Sequence, residues 1–135
     1  MTNATGLDNR DEPRDVSWST AFLRYLAQRE LRVARCRASG LILDFSELNE
    51  ARLRVSDIEW IPASGRARLF SFVVYRRQYH PDFPPPYNVA AVVLEEGPHL
   101  ISTVLAEPQL LAIDMPLIAT FDAGGRLVFG PNRTP

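Results

Sequence analysis

The sequence predicts a mainly β protein whose C-terminal half forms a small antiparallel barrel. Two runs with strong β propensity, Arg68–Tyr75 and Tyr87–Leu94, enclose a loop with four prolines at Gln78–Pro86. Proline cannot donate a hydrogen bond to a sheet ladder, so the loop lies outside the strands. Further short β-patterned runs, separated by turns, follow at Leu100–Leu105, Met115–Phe121 and Leu127–Phe129. Five short strands that must protect their edges favour a closed barrel.

The bulk composition is that of a globular domain with no strong electrostatic preference. The chain has 135 residues, of which 46% are hydrophobic and 23% charged, so a core can form without disulfide or metal support. Its net charge of −1, from 15 basic and 16 acidic residues, gives no general attraction to nucleic acid or to a membrane. Cys36 is the single cysteine, which excludes an internal disulfide and a metal cage built from several cysteines.

The first part of the chain, residues 1–16, is polar and charged without periodicity, which is typical of a disordered tail. No early apolar run follows a basic start, so we expect no signal peptide. The longest apolar runs are far shorter than the roughly 20 residues that span a bilayer. We therefore expect a cytoplasmic protein without a membrane partner.

Residues 17–30 have the periodicity of an amphipathic helix. Ser17 offers a hydroxyl N-cap, and Trp18, Phe22 and Tyr25 recur at helical spacing. An aromatic stripe of this kind would be costly to leave in water. The stripe either packs on its own domain or docks on another chain. In the second interpretation, Trp18, Phe22 and Tyr25 are candidates for a partner interface.

The region between this helix and the barrel has weaker patterns. Leu31–Leu43 is compatible with two short strands around a turn at Arg37–Gly40, and Ile58–Ile61 with another strand. Asp44–Val55 fits a turn followed by a short helix or strand, for which Ser46 is a weak helix start. We place an N-terminal region at residues 17–56 and the barrel domain at residues 57–135.

Several short motifs resemble, in their order and spacing, the proteins of domain-of-unknown-function family thirty-five. The resemblance covers residues 20–131, nearly the whole patterned chain. No single motif is highly specific, but their order and spacing together are fairly specific. The matching pieces are Trp60, Ser64-Gly65-Arg66, Phe70–Val74, His80-Pro81-Asp82-Phe83, Pro86-Tyr87, Glu95-Glu96-Gly97-Pro98 and Phe129-Gly130-Pro131.

The resemblance implies both a fold and a missing metal. The family pairs a rubredoxin-like zinc ribbon with an OB fold, the five-stranded form of small barrel. In the ribbon's first Cys-x-x-Cys pair this chain has Cys36 and Ser39, and no cysteine stands near 50–53 for the second pair. Structural zinc needs four nitrogen, sulfur or carboxylate ligands, which a hydroxyl does not replace. We expect a metal-free ribbon remnant, no zinc, and an unreactive, partly buried Cys36 thiol.

The same resemblance implies a non-catalytic function. The family is found with acyl-CoA enzymes of the thiolase superfamily, so the chain is expected to be an accessory subunit in a hetero-oligomer. It would dock on a thiolase-like enzyme and help to form the channel for coenzyme A or the acyl group, with no cofactor of its own. In addition to the helix aromatics, Tyr79 and Phe83 in the proline-rich loop are partner-interface candidates, and the residues expected near coenzyme A are Arg76, Arg77, His80 and Tyr87.

The residues themselves leave other interpretations open. Basic and aromatic side chains mix along Arg66–Tyr79, a combination that suits single-stranded nucleic acid, the phosphates and adenine of coenzyme A, or an ordinary core with solvated strand ends. The neutral overall charge argues against nucleic acid. A stand-alone module for acyl-CoA or another small ligand is the alternative function. The sequence pattern indicates no nucleophile for His80 to activate, so it predicts that His80 orders its loop.

Overall fold

The computed structural model describes residues 18–50 and 55–133 of the chain. The chain divides into two compact units, one up to Pro62 and one from Ala63. The boundary lies after Pro62, and not between residues 56 and 57, because the strand Ile58–Pro62 pairs within the N-terminal unit. The tail predicted at residues 1–16 lies outside the described residues.

The N-terminal unit is a helix with a three-stranded antiparallel sheet. Its sheet has the order β2-β1-β3, with β1 in the middle. The predicted helix and strand pair are present here, and the ambiguous segment is a short helix. The elements are α1 Trp18–Ala27, β1 Arg32–Cys36, β2 Ile42–Leu43, α2 Phe45–Glu50, a 3₁₀ turn Val55–Asp57 and β3 Ile58–Pro62.

A reciprocal cap, and not Ser46 alone, starts the short helix α2. The Asp44 carboxylate accepts a hydrogen bond from the Ser46 backbone N–H at 3.2 Å. The Glu47 carboxylate in turn accepts one from the Asp44 N–H at 2.7 Å. This is the capping-box arrangement, in which two otherwise unpaired backbone donors are satisfied.

The second unit is the predicted barrel of five strands. Its antiparallel sheet has the order β6-β5-β4-β7-β8, and β4 is the longest strand. This confirms the mainly β, OB-type class. The strands are β4 Arg66–Tyr75, β5 Tyr87–Leu94, β6 His99–Ser102, β7 Pro116–Phe121 and β8 Leu127–Pro131, with a 3₁₀ turn at Pro108–Leu110.

The segment after β6 closes the barrel against β8. Val104 and Phe129 form a parallel bridge, so the closure differs from the antiparallel sheet that the sequence predicts. The Phe129 N–H donates to the Thr103 carbonyl at 2.9 Å, and the Leu105 N–H donates to the Phe129 carbonyl at 2.7 Å. These bonds pair the β8 edge, which would otherwise be open to other chains.

The fully buried part of the barrel interior is aliphatic around one aromatic ring, that of Phe129. Phe129 and Leu117 are fully buried, and the inward positions of β5 alternate with the outward ones. Asn88 is the one buried polar residue that the structure describes, at 5% exposure. Its amide donates to the Val104 carbonyl and accepts from the Val104 N–H, both at 2.9 Å. The Asn88 side chain therefore pairs with the backbone of Val104 as a neighbouring strand would. Within the described residues no helix is long and apolar enough to cross a membrane.

Candidate functional site

The loop between β4 and β5 gathers the predicted binding residues into one aromatic cluster. We call residues 76–86 the aromatic loop. At its base the Tyr75 and Tyr87 rings stack with their centroids 5.0 Å apart. Tyr79 meets Tyr75 edge-on at 5.8 Å, Phe83 lies 5.7 Å from Tyr87, and His80 lies 5.4 Å from Phe83. Four of the residues singled out from the sequence therefore lie side by side.

Hydrogen bonds around His80 hold the tip of the loop. The His80 carbonyl accepts from the Phe83 N–H at 3.0 Å, and the His80 Nδ1 atom accepts from the Asp82 N–H at 3.1 Å. The Gln78 amide donates to the carbonyls of His80 and Pro81, each at 3.3 Å. These contacts agree with the loop-ordering role that the sequence predicts for His80.

The two predicted arginines are exposed where β4 enters the loop. Within the described residues, neither Arg76 nor Arg77 forms an ion pair. Arg126, which the sequence did not single out, lies over the Phe83 ring at 5.6 Å and binds the Asp122 carboxylate at 3.0 Å. Free guanidinium groups beside exposed rings suit an anionic or aromatic group of a ligand or partner.

The helix aromatics belong mainly to the core of the N-terminal unit. The Phe22 ring lies 4.8 Å from Phe45 and 6.3 Å from Trp60 and is 8% exposed. This corrects its place on the predicted partner surface, because a buried ring is unavailable for docking. Trp18, stacked on Phe45 at 5.2 Å, and Tyr25, under the Arg32 guanidinium at 4.6 Å, are half-buried and retain an outer edge.

A tight turn follows Cys36, at the position where the resemblance implied the first cysteine pair of the ribbon. The Gly40 N–H donates to the Cys36 carbonyl at 2.7 Å, and Gly40 has the positive φ of 76° that glycine tolerates. The Ser39 hydroxyl lowers the pKa of the Cys36 thiol by hydrogen bonding. Cys36 is half-buried as expected, but this hydrogen bond favours the thiolate and works against the expected inertness.

A metal site was not expected from the sequence. Among residues 18–50 and 55–133 no group of three His, Cys, Asp or Glu side chains is close enough to hold a metal ion. A prediction about zinc also concerns residues near 50–53, part of which the structure does not describe, so the metal-free ribbon stays a prediction.

A groove at the far end of β4 was missed in the sequence. It has a volume of about 770 Å³, and Leu69, Phe70 and Ile113 are among the apolar residues that line it. Arg66 and Glu95 form a bidentate pair on its rim, with nitrogen–oxygen distances of 2.9 and 2.6 Å. The Arg66 hydrogen bond holds the pKa of the Glu95 carboxyl below its usual range. Alternating patterns could not predict this groove, because a β-bulge between Leu69 and Ser71 redirects Phe70.

Comparisons with known proteins show what the barrel is similar to. Residues 60–122 match the model of the family described as ChsH2, C-terminal OB-fold domain. A chain in the solved structure of the Ltp2-ChsH2(DUF35) aldolase is similar, with a TM-score of 0.70 and 25% identity. The match covers 84% of this chain and 93% of that one. The OB fold is thus confirmed, and the predicted resemblance is supported for that domain.

Two curated proteins are similar to this chain over a little less than half of its length. A 3-oxo-4,17-pregnadiene-20-carboxyl-CoA hydratase alpha subunit of Mycobacterium tuberculosis is 38% identical over 65 residues, 47% of this chain. A probable enoyl-CoA hydratase alpha subunit of Thermomonospora curvata is 33% identical over 63 residues, 46% of this chain. The matched segments make up 21% and 20% of those proteins. The chain therefore matches about a fifth of the length of these relatives.

Proposed function

We propose that the chain is a non-catalytic partner subunit of a thiolase-superfamily enzyme that acts on acyl-CoA thioesters. The observation that carries the proposal is the similarity to a chain of the Ltp2-ChsH2(DUF35) aldolase. The match covers 93% of that aldolase chain. Both curated relatives are subunits by name, and both names contain a coenzyme A thioester. The thiolase assignment itself rests on the resemblance of the sequence motifs.

The described surface supports a binding role. Its exposed groups include aliphatic and aromatic side chains and the guanidinium groups of Arg76 and Arg77. Groups of this kind bury area and bind anions in protein interfaces. In the proposed complex the aromatic loop lies at the mouth of the enzyme's channel. There Arg76, Arg77, His80 and Tyr87 approach the phosphates and adenine of coenzyme A.

Co-expression with a thiolase-like enzyme encoded beside this chain tests the proposal. We expect one complex to elute from a sizing column, with aldolase, thiolase or acyltransferase activity that neither chain shows alone. The control is the same enzyme co-expressed with an unrelated OB-fold protein, which elutes separately. Separate elution of the two partners and full activity of the enzyme alone would refute the proposal.

The place of coenzyme A is tested by a double substitution in that complex. Replacing Arg76 and Arg77 by glutamine removes both charges while keeping polar side chains of similar reach. We expect the KM for the acyl-CoA substrate to rise about tenfold, because charge-assisted contacts to phosphate are among the stronger hydrogen bonds. An unchanged KM would place coenzyme A away from these residues.

A second candidate is a stand-alone module for a small ligand, which the groove between Leu69, Phe70 and Ile113 favours. Its volume lies within the range of small-molecule sites, and its lining is mostly apolar with a few polar groups. Calorimetric titration of the isolated chain with an acyl-CoA separates the two candidates. Saturable binding without any partner favours the module, and heat only in the presence of the enzyme favours the subunit.

A further inference from the structure

The outward side of β4, β5 and β6 carries a largely apolar surface, which we call the outer face. The exposed Ser71 lies within it, and Arg68 and His99 lie at one end of it. Its apolar members are Phe70, Val73, Val89, Ala91, Val93 and Ile101. Cross-strand pairs join its members, because Val73 lies opposite Val89 and Ala91 lies opposite Ile101. The stacked Tyr75–Tyr87 pair continues the same rows into the aromatic loop. The outer face and the loop thus form one surface of the barrel unit.

The outer face departs from the pattern of a sheet that faces water. A solvated antiparallel sheet normally alternates apolar inward and polar outward residues. On β5 the inward Ala90, Val92 and Leu94 are buried, and the outward positions between them are also apolar. Ile101 is 72% exposed, Phe70 58% and Val73 55%. A contiguous exposed patch of this kind marks an interaction site more often than an ordinary surface.

The neighbouring edge of β4 has no described strand partner beyond Leu69, whose backbone is hydrogen-bonded to Asp114 and Met115. β4 pairs with β5 along almost its whole length, but β7 reaches only Arg66–Arg68 in strand register. Among the described strands, the remaining half of β4 therefore has a neighbour on one side only. Natural proteins usually blunt such an edge with charges, prolines or a covering segment. Here the apolar Val73 lies on the part of β4 without a second strand neighbour, so we expect another chain to cover this edge.

Charge decides what kind of chain covers this surface. None of the outward residues of β4, β5 and β6 from Phe70 onward carries a carboxylate, and Arg76 and Arg77 at its margin have no ion-pair partner within the described residues. The nearby carboxylates of Glu95 and Asp114 already lie beside Arg66 and Arg68. The aromatic loop adds one exposed carboxylate, that of Asp82. A second copy placed face to face would set two guanidinium groups per copy against one such carboxylate per copy, so positive charge would remain without a partner. Like charges in such a contact are destabilising.

We infer that the outer face is the docking surface for the partner enzyme, which meets it with an apolar patch bordered by anionic groups. This inference rests on the proposed function and names the surface through which that function is exerted. The anionic groups are either carboxylates of the enzyme or phosphates of its bound coenzyme A. Both sources share the chemistry that a pair of free guanidinium groups recognises.

A charge placed in the middle of the outer face tests the inference with the co-expressed thiolase-like enzyme. Ile101→Asp introduces a carboxylate at a position that is 72% exposed, so the barrel core is not touched. We expect the complex to weaken by about tenfold or more, because desolvating one charge in an interface centre removes the gain from apolar burial. Val73→Thr is a milder second variant that keeps β-branching, and we expect a smaller loss in the same direction.

Leu110→Asp is the matched control. Leu110 is 56% exposed on the same unit but lies outside the outer face, so the complex should keep its affinity within about twofold. Circular dichroism must first show that all variants keep the wild-type melting temperature. If the wild-type chain binds the enzyme and Ile101→Asp binds equally well, the inference is wrong while the proposed function stands. If the wild-type chain does not bind, the proposed function fails.

Two further measurements distinguish the occupants. Self-association of the wild-type chain that Ile101→Asp abolishes would show that a second copy covers the face, and this would overturn the inference. Replacing Arg76 and Arg77 by glutamine should weaken the complex without coenzyme A if carboxylates of the enzyme border the patch. The same loss seen only with coenzyme A present assigns the anions to its phosphates. Loss in neither condition would overturn the anionic border.

Discussion

The two units of this chain use their apolar residues in opposite ways. In the N-terminal unit a few large rings meet one another, with Phe22 within 4.8 Å of Phe45 and Trp18 within 5.2 Å of Phe45. In the barrel, small aliphatic side chains fill the interior around Phe129. A second aliphatic set, which includes Ile101, lies outside.

The difference shows where each unit can interact. Rings that pack on one another bury their own surface, so the aromatic stripe of α1 lies mostly in the core of its unit. A strand shows two faces, and a strand that is apolar on both has more apolar surface than one core can bury. The surplus in the barrel remains exposed and is available to another chain.

The barrel should therefore depend most on the fully buried ring of Phe129. Phe129→Ala removes a fully buried side chain and leaves a cavity beside the closure, so the free energy of unfolding should fall by about 4 kcal/mol. Urea unfolding followed by far-ultraviolet circular dichroism measures the change. Ile101→Ala, an equally apolar site on the outside, should change it by less than about 1 kcal/mol. Similar losses at both sites would contradict the division between interior and outer face.

The N-terminal unit should depend on its cluster of rings. Phe22→Ala should lower stability by about 3 kcal/mol, because Phe45 and Trp60 lose the ring between them. Both tryptophans, Trp18 and Trp60, lie in this unit, so a red shift in tryptophan emission reports the change directly. Leu23→Ala, next on the same helix and 61% exposed, should leave the emission as in the wild type.

The barrel closure should depend on one buried amide. Asn88→Leu keeps a similar volume but leaves the Val104 N–H without its acceptor, whereas the Val104 carbonyl keeps its bond from the Ala106 N–H at 3.0 Å. Unpaired buried backbone groups cost free energy, so we expect a loss of about 2 kcal/mol. Hydrogen exchange at the Val104 amide should become faster at the same time. Protection equal to wild type would show that the closure stands without Asn88.

The sequence predicted the strands of the barrel well because their signals are local. Alternation, turn glycines and prolines placed β4 and β5 within two residues of their observed ends. The aromatic loop was also predicted, since its ends are two adjacent β-strands and its residues are close along the chain. Contacts that join distant parts of the chain were not. The parallel bridge of Val104 to Phe129 and the pairing of β3 with β1 depend on tertiary packing.

The sequence also did not predict which apolar side chains are buried. The spacing of Trp18, Phe22 and Tyr25 predicts a stripe but does not say what covers it, and Phe22 proved to be core. The outer face was missed for the converse reason. Val89, Ala91 and Val93 look like core residues in a run that is apolar throughout, and only the register with β4 and β6 shows them to point outward. A count of apolar residues against one small barrel interior could have signalled the surplus.

Acid should affect the barrel through its last turn. The Asp122 carboxylate accepts hydrogen bonds from the N–H groups of Arg126 and Gly124, each at 2.9 Å, and from the Arg126 guanidinium at 3.0 Å. Above all, the Arg126 backbone N–H lowers the pKa of Asp122. A carboxyl whose pKa is lower in the folded state stabilises the fold fully above its unfolded pKa, about 3.9, and this stability is lost as the pH falls through the folded value.

Asp122→Asn should remove that pH dependence with the smallest effect of the series. An asparagine oxygen can still accept from the two N–H groups but does not ionise, so the melting temperature should fall less between pH 7 and pH 2 than in the wild type. Arg126→Gln, which keeps the backbone donors and removes the guanidinium, should give an intermediate slope. Glu95, also lowered in pKa, contributes to the slope that remains. Identical slopes in all three proteins would show that the turn carries none of the barrel's sensitivity to acid. The loss of stability at low pH should also be smaller in the emission of Trp18 and Trp60 than in a probe of the barrel, because the carboxyls of Asp122 and Glu95 both lie in the barrel.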